Sequence, residues 1–214
     1  MRSLIRKYSG QSWLKVGGMA AIILMSCQSL HAQNELQFHI GYNVNVPAGS
    51  FRDLIDKPAY KGFTAGLAYP VNQQLSVGLD VGYNDYYQKF PRQVYNDGKG
   101  SDISAVVSNS VQQFPLLLTA NYTLVKKGII RPYIGAGAGV NFISFDQYLG
   151  EFDDPHSSVN WAVRGEAGFL IPLSRTSSTA IRIGANYNYA PFNKYGVDNL
   201  DNWGIHAGMR FPIH

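Results

Sequence analysis

From Leu36 to Val46, every second position is a large apolar side chain: Leu36, Phe38, Ile40, Tyr42, Val44 and Val46. Gln37, His39, Gly41, Asn43 and Asn45 fill the places between. A period of two sends the two sets to opposite faces of a β-strand, whereas a helix needs a period of 3.6. The same alternation returns at Lys61–Tyr69, Leu75–Asn84, Val111–Leu124, Ile130–Phe142, Ser158–Ile171, Thr179–Tyr189 and Trp203–Ile213. The last of these sets Trp203, Ile205, Ala207, Met209, Phe211 and Ile213 against Gly204, His206, Gly208 and Arg210. Val111–Leu124 is the least regular, because Leu117 falls on its polar face. Pro115 within it calls for an edge or bulge position.

The connections alternate in length. Pro47–Tyr60, Asp85–Asn109, Ile143–Ser157 and Ala190–Asp201 are long and polar; Pro70–Gln74, Lys126–Gly128 and Pro172–Ser178 are short turns. The long ones are expected to be irregular loops. Eight strands with short turns at one end and long loops at the other predict an all-β fold, an eight-stranded antiparallel up-and-down transmembrane β-barrel. A soluble lipocalin-like barrel would turn its apolar faces inward and would need no aromatic belts. Here aromatics on the apolar face gather at both ends. Phe63, Tyr83, Phe142, Trp161, Tyr187, Tyr189 and Trp203 lie near the long loops; Phe38, Tyr69, Tyr122, Phe169 and Phe211 lie near the short turns. The eight residues from Trp161 to Phe169 span roughly 20 Å once tilted, close to the apolar band of such barrels. Amphipathic rings favour the interface, and a closed barrel pairs every backbone group that lipid cannot solvate.

Composition agrees with lipid on one face. Hydrophobic residues make up 45% and charged residues 15%, against about 25% charged in soluble domains. Of 18 basic side chains, Arg2, Arg6, Lys7 and Lys15 lie in the first 32 residues, which hold no acid. The remaining fourteen balance the fourteen acids, so the formal +4 is no argument for nucleic acid. Residues 1–32 read as a secretory signal peptide: a basic start, an apolar run from Val16 to Met25, and Leu30-His31-Ala32 before Gln33. Residues 33–214 form the barrel domain. Leu24-Met25-Ser26-Cys27 offers a competing lipobox, which would make a lipidated Cys27 the first residue. With the later cut the mature chain has no cysteine and no thiol chemistry.

Three phrases carry a resemblance. Arg131-Pro132-Tyr133 precedes Gly135, Gly137 and Gly139; Phe114-Pro115-Leu116-Leu117 precedes Tyr122; and the closing strand ends the chain. Over Asn34 to Ile213 the sequence resembles the small outer-membrane β-barrel family, the OmpA- and OmpX-like barrels and "porin family" proteins. His206, Gly208, Phe211 and Ile213 occupy the slots of that group's C-terminal assembly signal, polar-x-Gly-x-x-aromatic-x-hydrophobic. The departures are His214 at the end and Ile213 where an aromatic is commoner. The resemblance implies the outer membrane of a Gram-negative cell. It also implies insertion by the barrel-assembly machinery, contact with membrane lipid and lipopolysaccharide, and a monomer.

The inward ionisable side chains are His39, Asp80, Arg164, Glu166, Arg182, His206 and Arg210. Buried charges need partners, so Asp80 and Glu166 are expected to face Arg164, Arg182 and Arg210 in a lumen network. Eight strands leave a bore just wide enough for side chains, which favours a polar plug. The inner glycines favour open space. Some small outer-membrane barrels modify lipid A, and His156 with Ser158 share a face at the long-loop end. A serine nucleophile needs a base and a group to orient it. Glu166 should lie too deep, and Asp153 and Asp154 belong to an ordinary loop, so no catalytic residue is assigned. Asp146, Glu151, Asp153 and Asp154 follow no calcium-ligand spacing, and no metal or cofactor is expected. The expected role is a non-enzymatic scaffold whose long outer loops contact the environment or a partner. A narrow pore for small solutes is the alternative, and a lipid-modifying enzyme stands third.

Overall fold

The computed structural model describes residues 35–91, 93–96, 102–105, 107–149, 152–174, 179–194 and 197–213. The signal-peptide and Cys27 readings therefore lie outside the described residues. Eight antiparallel strands close into a barrel, each bonded to the wall strands before and after it in the chain and the last bonded to the first. They are β1 (Leu36–Pro47), β2 (Lys61–Pro70), β3 (Leu75–Lys89), β6 (Val107–Thr123), β7 (Arg131–Leu149), β8 (Phe152–Pro172), β9 (Ala180–Tyr189) and β12 (Asn202–Ile213). Two small hairpins stand apart: β4 (Gln93–Asn96) with β5 (Asp102–Ala105), and β10 (Pro191–Lys194) with β11 (Val197–Asn199). The seam is β1 against β12, from Leu36↔Ile213 to Pro47↔Asn202.

The alternation decides which way each side chain faces. Leu118 is 71% exposed and Ile205 68%, while His39, Asp80 and Asn45 are buried. That arrangement inverts a soluble protein, and it leaves an apolar wall far larger than soluble monomers expose. The aromatic belts form contacts around the wall. Phe63 meets Tyr83 at 5.5 Å, Tyr83 meets Phe114 at 4.7 Å, and Tyr187 meets Trp203 at 4.7 Å near the long-loop end. At the short-turn end Phe38 meets Phe211 across the seam at 5.6 Å. Pro115 takes neither an edge nor a bulge, as the sequence had suggested. It sits inside β6 opposite Asn141 of β7, and the ladder to β3 lapses between Val81↔Leu116 and Asn84↔Gln113 without changing register. Gly82 makes room for it; a Cβ there would stand 3.1 Å from the proline ring.

The long connections are not the irregular loops expected from the sequence. β3, β6, β7 and β8 are 15, 17, 19 and 21 residues long, against 10 to 12 for the other four wall strands. They continue past the belt as a four-stranded sheet that takes in most of Ile143–Ser157. The reason is an inversion of the pattern. Below the rim apolar residues point out; above it Tyr86, Val111, Ile143 and Phe145 point in and are buried. They pack with Phe51 and Leu54 of a one-turn helix α1 (Phe51–Leu54), with Ile55 and Ala59, and with Phe192, Val197 and Leu200 around the β10–β11 hairpin. Each such side chain contributes about 1.5–3 kcal/mol on burial. Asn109 Nδ2 donates to the Leu54 carbonyl at 3.0 Å, and Phe51 packs edge-on to Tyr86 at 4.9 Å. An apolar cap thus lies inside the long-loop end of the barrel.

Candidate functional site in the barrel lumen

Beneath the cap lies a layer of amides. Asn43 and Asn45 on β1 both donate to Asn84 Oδ1 on β3, each at 2.5 Å. Asn188 Nδ2 donates to Asn202 Oδ1 at 2.7 Å and to Asn186 Oδ1 at 3.1 Å. Arg164 Nε donates to Asn188 Oδ1 at 2.8 Å, which ties this layer to the charges below.

The charges form two groups. Asp80 on β3 has His39 Nε2 3.2 Å from Oδ1 and Arg164 Nη1 3.7 Å from Oδ2, and Thr119 Oγ1 donates to Oδ1 at 3.4 Å. Glu166 on β8 pairs with Arg182 on β9 through Oε1 and Nη2. Register places Asp80 opposite Gly66 of β2 and Leu117 of β6, and His39 on β1 is opposite the same Gly66; Arg182, whose own partner is Leu170, reaches four residues along the bore to Glu166, whose partner is Asn186. Arg182 Nε also donates to the Tyr133 hydroxyl at 2.9 Å. The same hydroxyl lies 2.9 Å from His206 Nε2, and Asn186 Nδ2 lies 3.3 Å from His206 Nδ1. An Nε2–H donating to the hydroxyl and an Nδ1 accepting from the amide let a neutral ring make both contacts.

Arg210 departs from the expected network. It stands opposite His39 on β1 and Ala180 on β9, nearer the short turns. Among the described residues it forms no ion pair with either acid, and its Nε has no hydrogen-bond partner. Two acids, each already engaged by arginine higher in the bore, leave it none within reach. The rest of the terminal signal lies on the same strand: Gly208 opposite Gly41, Phe211 opposite Phe38, and Ile213 opposite Leu36.

The inner glycines do not leave open space. A Cβ at Gly66 would come within 2.5 Å of Asp80 Oδ1 and 2.6 Å of the His39 ring. One at Gly135 would collide with Asn121 and Glu166. Glycine lets large polar side chains lie flat against the opposite wall. Among Asn43, Asn84, Arg164, Glu166, Arg182 and His206 the remaining cavity is about 10 Å³, at or below what a single water needs. Sequence reasoning missed Tyr133, Asn84, Asn186 and Asn188 as members of the network. Their inward period-two positions were the available signal.

His156 and Ser158 lie at the rim, where with Asn160, Trp161, Pro191, Phe192 and Asn193 they line a cleft of about 390 Å³. Glu166, deeper on the same strand, is held by Arg182 in the bore. Among the described residues no three metal-ligating side chains converge.

The sequence profile of the outer membrane protein beta-barrel domain matches residues 18–211. Among solved structures, the crystal structure of the outer membrane protein OprG from Pseudomonas aeruginosa is similar, with a TM-score of 0.54 and 16% identity. It covers 86% of this chain and 98% of that one. Neisserial surface protein A is similar with a TM-score of 0.51 and 17% identity, over 84% of this chain and 97% of that one. At these identities the likeness is one of fold. No curated protein matches the chain.

Proposed function

The chain belongs to the outer membrane protein beta-barrel domain family, and from that premise we propose that it is a non-conducting, non-enzymatic scaffold whose outer surface is its working part. Its place is the outer membrane, with the apolar wall in lipid and the four-stranded extension outside. The observation that carries the proposal is the packing of the bore: an apolar cap over an amide layer over two ion-paired groups, with a cavity of about 10 Å³ where Asn84 meets Arg164, Glu166 and Arg182. Removing any of these charges from its partner would cost several kcal/mol, so the plug is not readily opened. Glu166 is committed to Arg182, which removes it from any role beside His156 and Ser158.

Purified protein in planar bilayers is expected to show no large, steady conductance. A narrow pore is the second reading, favoured by Arg210, which stands opposite His39 and Ala180 without an acid partner among the described residues. Steady conduction whose ion preference changes in Arg182→Gln or Arg210→Gln would overturn the scaffold and establish the pore.

A further inference from the structure

The short turns differ in chemistry. The one between β2 and β3 is uncharged, Val71-Asn72-Gln73-Gln74, whereas the one between β6 and β7 runs Leu124-Val125-Lys126-Lys127-Gly128-Ile129-Ile130. The ladder fixes where the second turn stands. Phe169 of the belt pairs with Pro132, whose carbonyl accepts from the Leu124 N–H at 2.8 Å. Residues 125–130 therefore lie beyond the belt, past the end of the wall. There Ile129 is 82% exposed and Ile130 55%, and Leu173 of the next turn is exposed as well. The period of two that turns Ile134 and Phe169 to lipid also turns Ile130 and Leu173 outward. The patch thus continues the apolar wall past its aromatic border.

Lys126 and Lys127 are exposed beside it. No ion pair among the described residues involves either. Among the described residues the acid at this end is Glu35, just before β1, and β1 lies opposite β7 in the ring. Ammonium groups without counter-charge, set against apolar side chains at the border of a bilayer, match an anionic headgroup. Apolar side chains enter the acyl boundary while lysine stems carry their charge up to the phosphate. The short turns of such barrels face the periplasm, so the leaflet concerned is the periplasmic one. We propose that the β6–β7 turn is a docking site for an anionic phospholipid of that leaflet, with Ile129 and Ile130 in the acyl boundary and Lys126 and Lys127 on the headgroup phosphate. This site is at the end of the barrel away from the outer surface, and it stands whether or not the bore conducts.

The test uses the full barrel in nanodiscs of phosphatidylcholine, with phosphatidylglycerol replacing that lipid stepwise and amide NMR shifts as the readout. The Lys126, Lys127 and Ile129 amides are expected to shift and saturate, while those of Asn72 and Gln73 in the uncharged turn shift less and without saturation. The double variant Lys126→Gln, Lys127→Gln should lower the preference for phosphatidylglycerol by about tenfold or more, since each lysine beside an anionic surface is worth about fivefold. In the unmodified protein, a water-soluble gadolinium chelate should broaden the Asn72 amide and spare that of Ile129. Equal shifts in both turns, or an unchanged preference in the double variant, would overturn the proposal. So would the same shifts on adding inorganic phosphate to pure phosphatidylcholine discs, which would assign the lysines to a soluble anion. Broadening of Ile129 as strong as that of Asn72 would also overturn it, because the patch would then stand in water, open to a protein partner. Steady bilayer conductance would remove the scaffold reading and leave this site untouched.

Discussion

Glu166 and Arg182 are side chains that neither water nor lipid can solvate where they stand, so each depends on the other. Glu166→Gln leaves Arg182 charged, with only neutral partners. The expected cost is about 3–5 kcal/mol, the range for breaking a buried pair by removing one member. It should appear as a lower urea midpoint of the folded barrel in micelles. The double variant Glu166→Gln, Arg182→Gln should recover much of that loss, and a double variant as weak as the single one would show that the pair is not the cause. These residues were legible from the sequence because a strict period of two assigns each ionisable side chain to the bore. Their partners were not, since pairing depends on the stagger of neighbouring strands. That stagger placed Arg210 below both acids and set Tyr133 between Arg182 and His206. The glycines misled for a related reason: a missing side chain reads as space until the neighbour that fills it is known.

At the scale of elements, the membrane-spanning parts of the strands were read nearly to the residue, and their extensions were not. The cause lies in Phe142-Ile143-Ser144-Phe145. Phe142 points to lipid, whereas Ile143 and Phe145 point into the cap. Where the solvent changes from hydrocarbon to water, the apolar face must change sides, and that phase change resembles the end of a strand. The cap itself joins α1, the β10–β11 hairpin and four strands distant in sequence, so no local pattern announces it. Phe51→Ala should cost the cap about 3–5 kcal/mol as a cavity forms. Native-state hydrogen exchange is the measurement. The Ile55 amide, which donates to the Phe51 carbonyl at 3.0 Å, and the Leu200 amide, which donates to the Ala190 carbonyl at 2.8 Å, should exchange on the order of a hundredfold to a few thousandfold faster. Seam amides such as that of Ile40 should keep their protection. Loss of protection at both places would mean that the cap is not a separate unit.

For the whole molecule, the chain that reaches the membrane is expected to begin at Gln33 without lipid, because the small residue Ala32 stands just before β1. Intact mass of the extracted protein checks this, and a mass starting at Cys27 with attached acyl chains would refute it. β1 matters beyond its own residues, because it pairs with β12 across the entire length of the domain, Leu36 against Ile213. That pairing has a consequence in time. Ring closure joins the first strand made to the last, so no shorter stretch of the chain can close on its own. Until β12 arrives, every partly assembled sheet carries two open edges, the form most prone to pairing with the wrong neighbour. The contact of Phe38 with Phe211 can form only at the end of that interval. The ring can therefore close only once β12 has been made, and the slowest step of folding should be the meeting of β1 with β12.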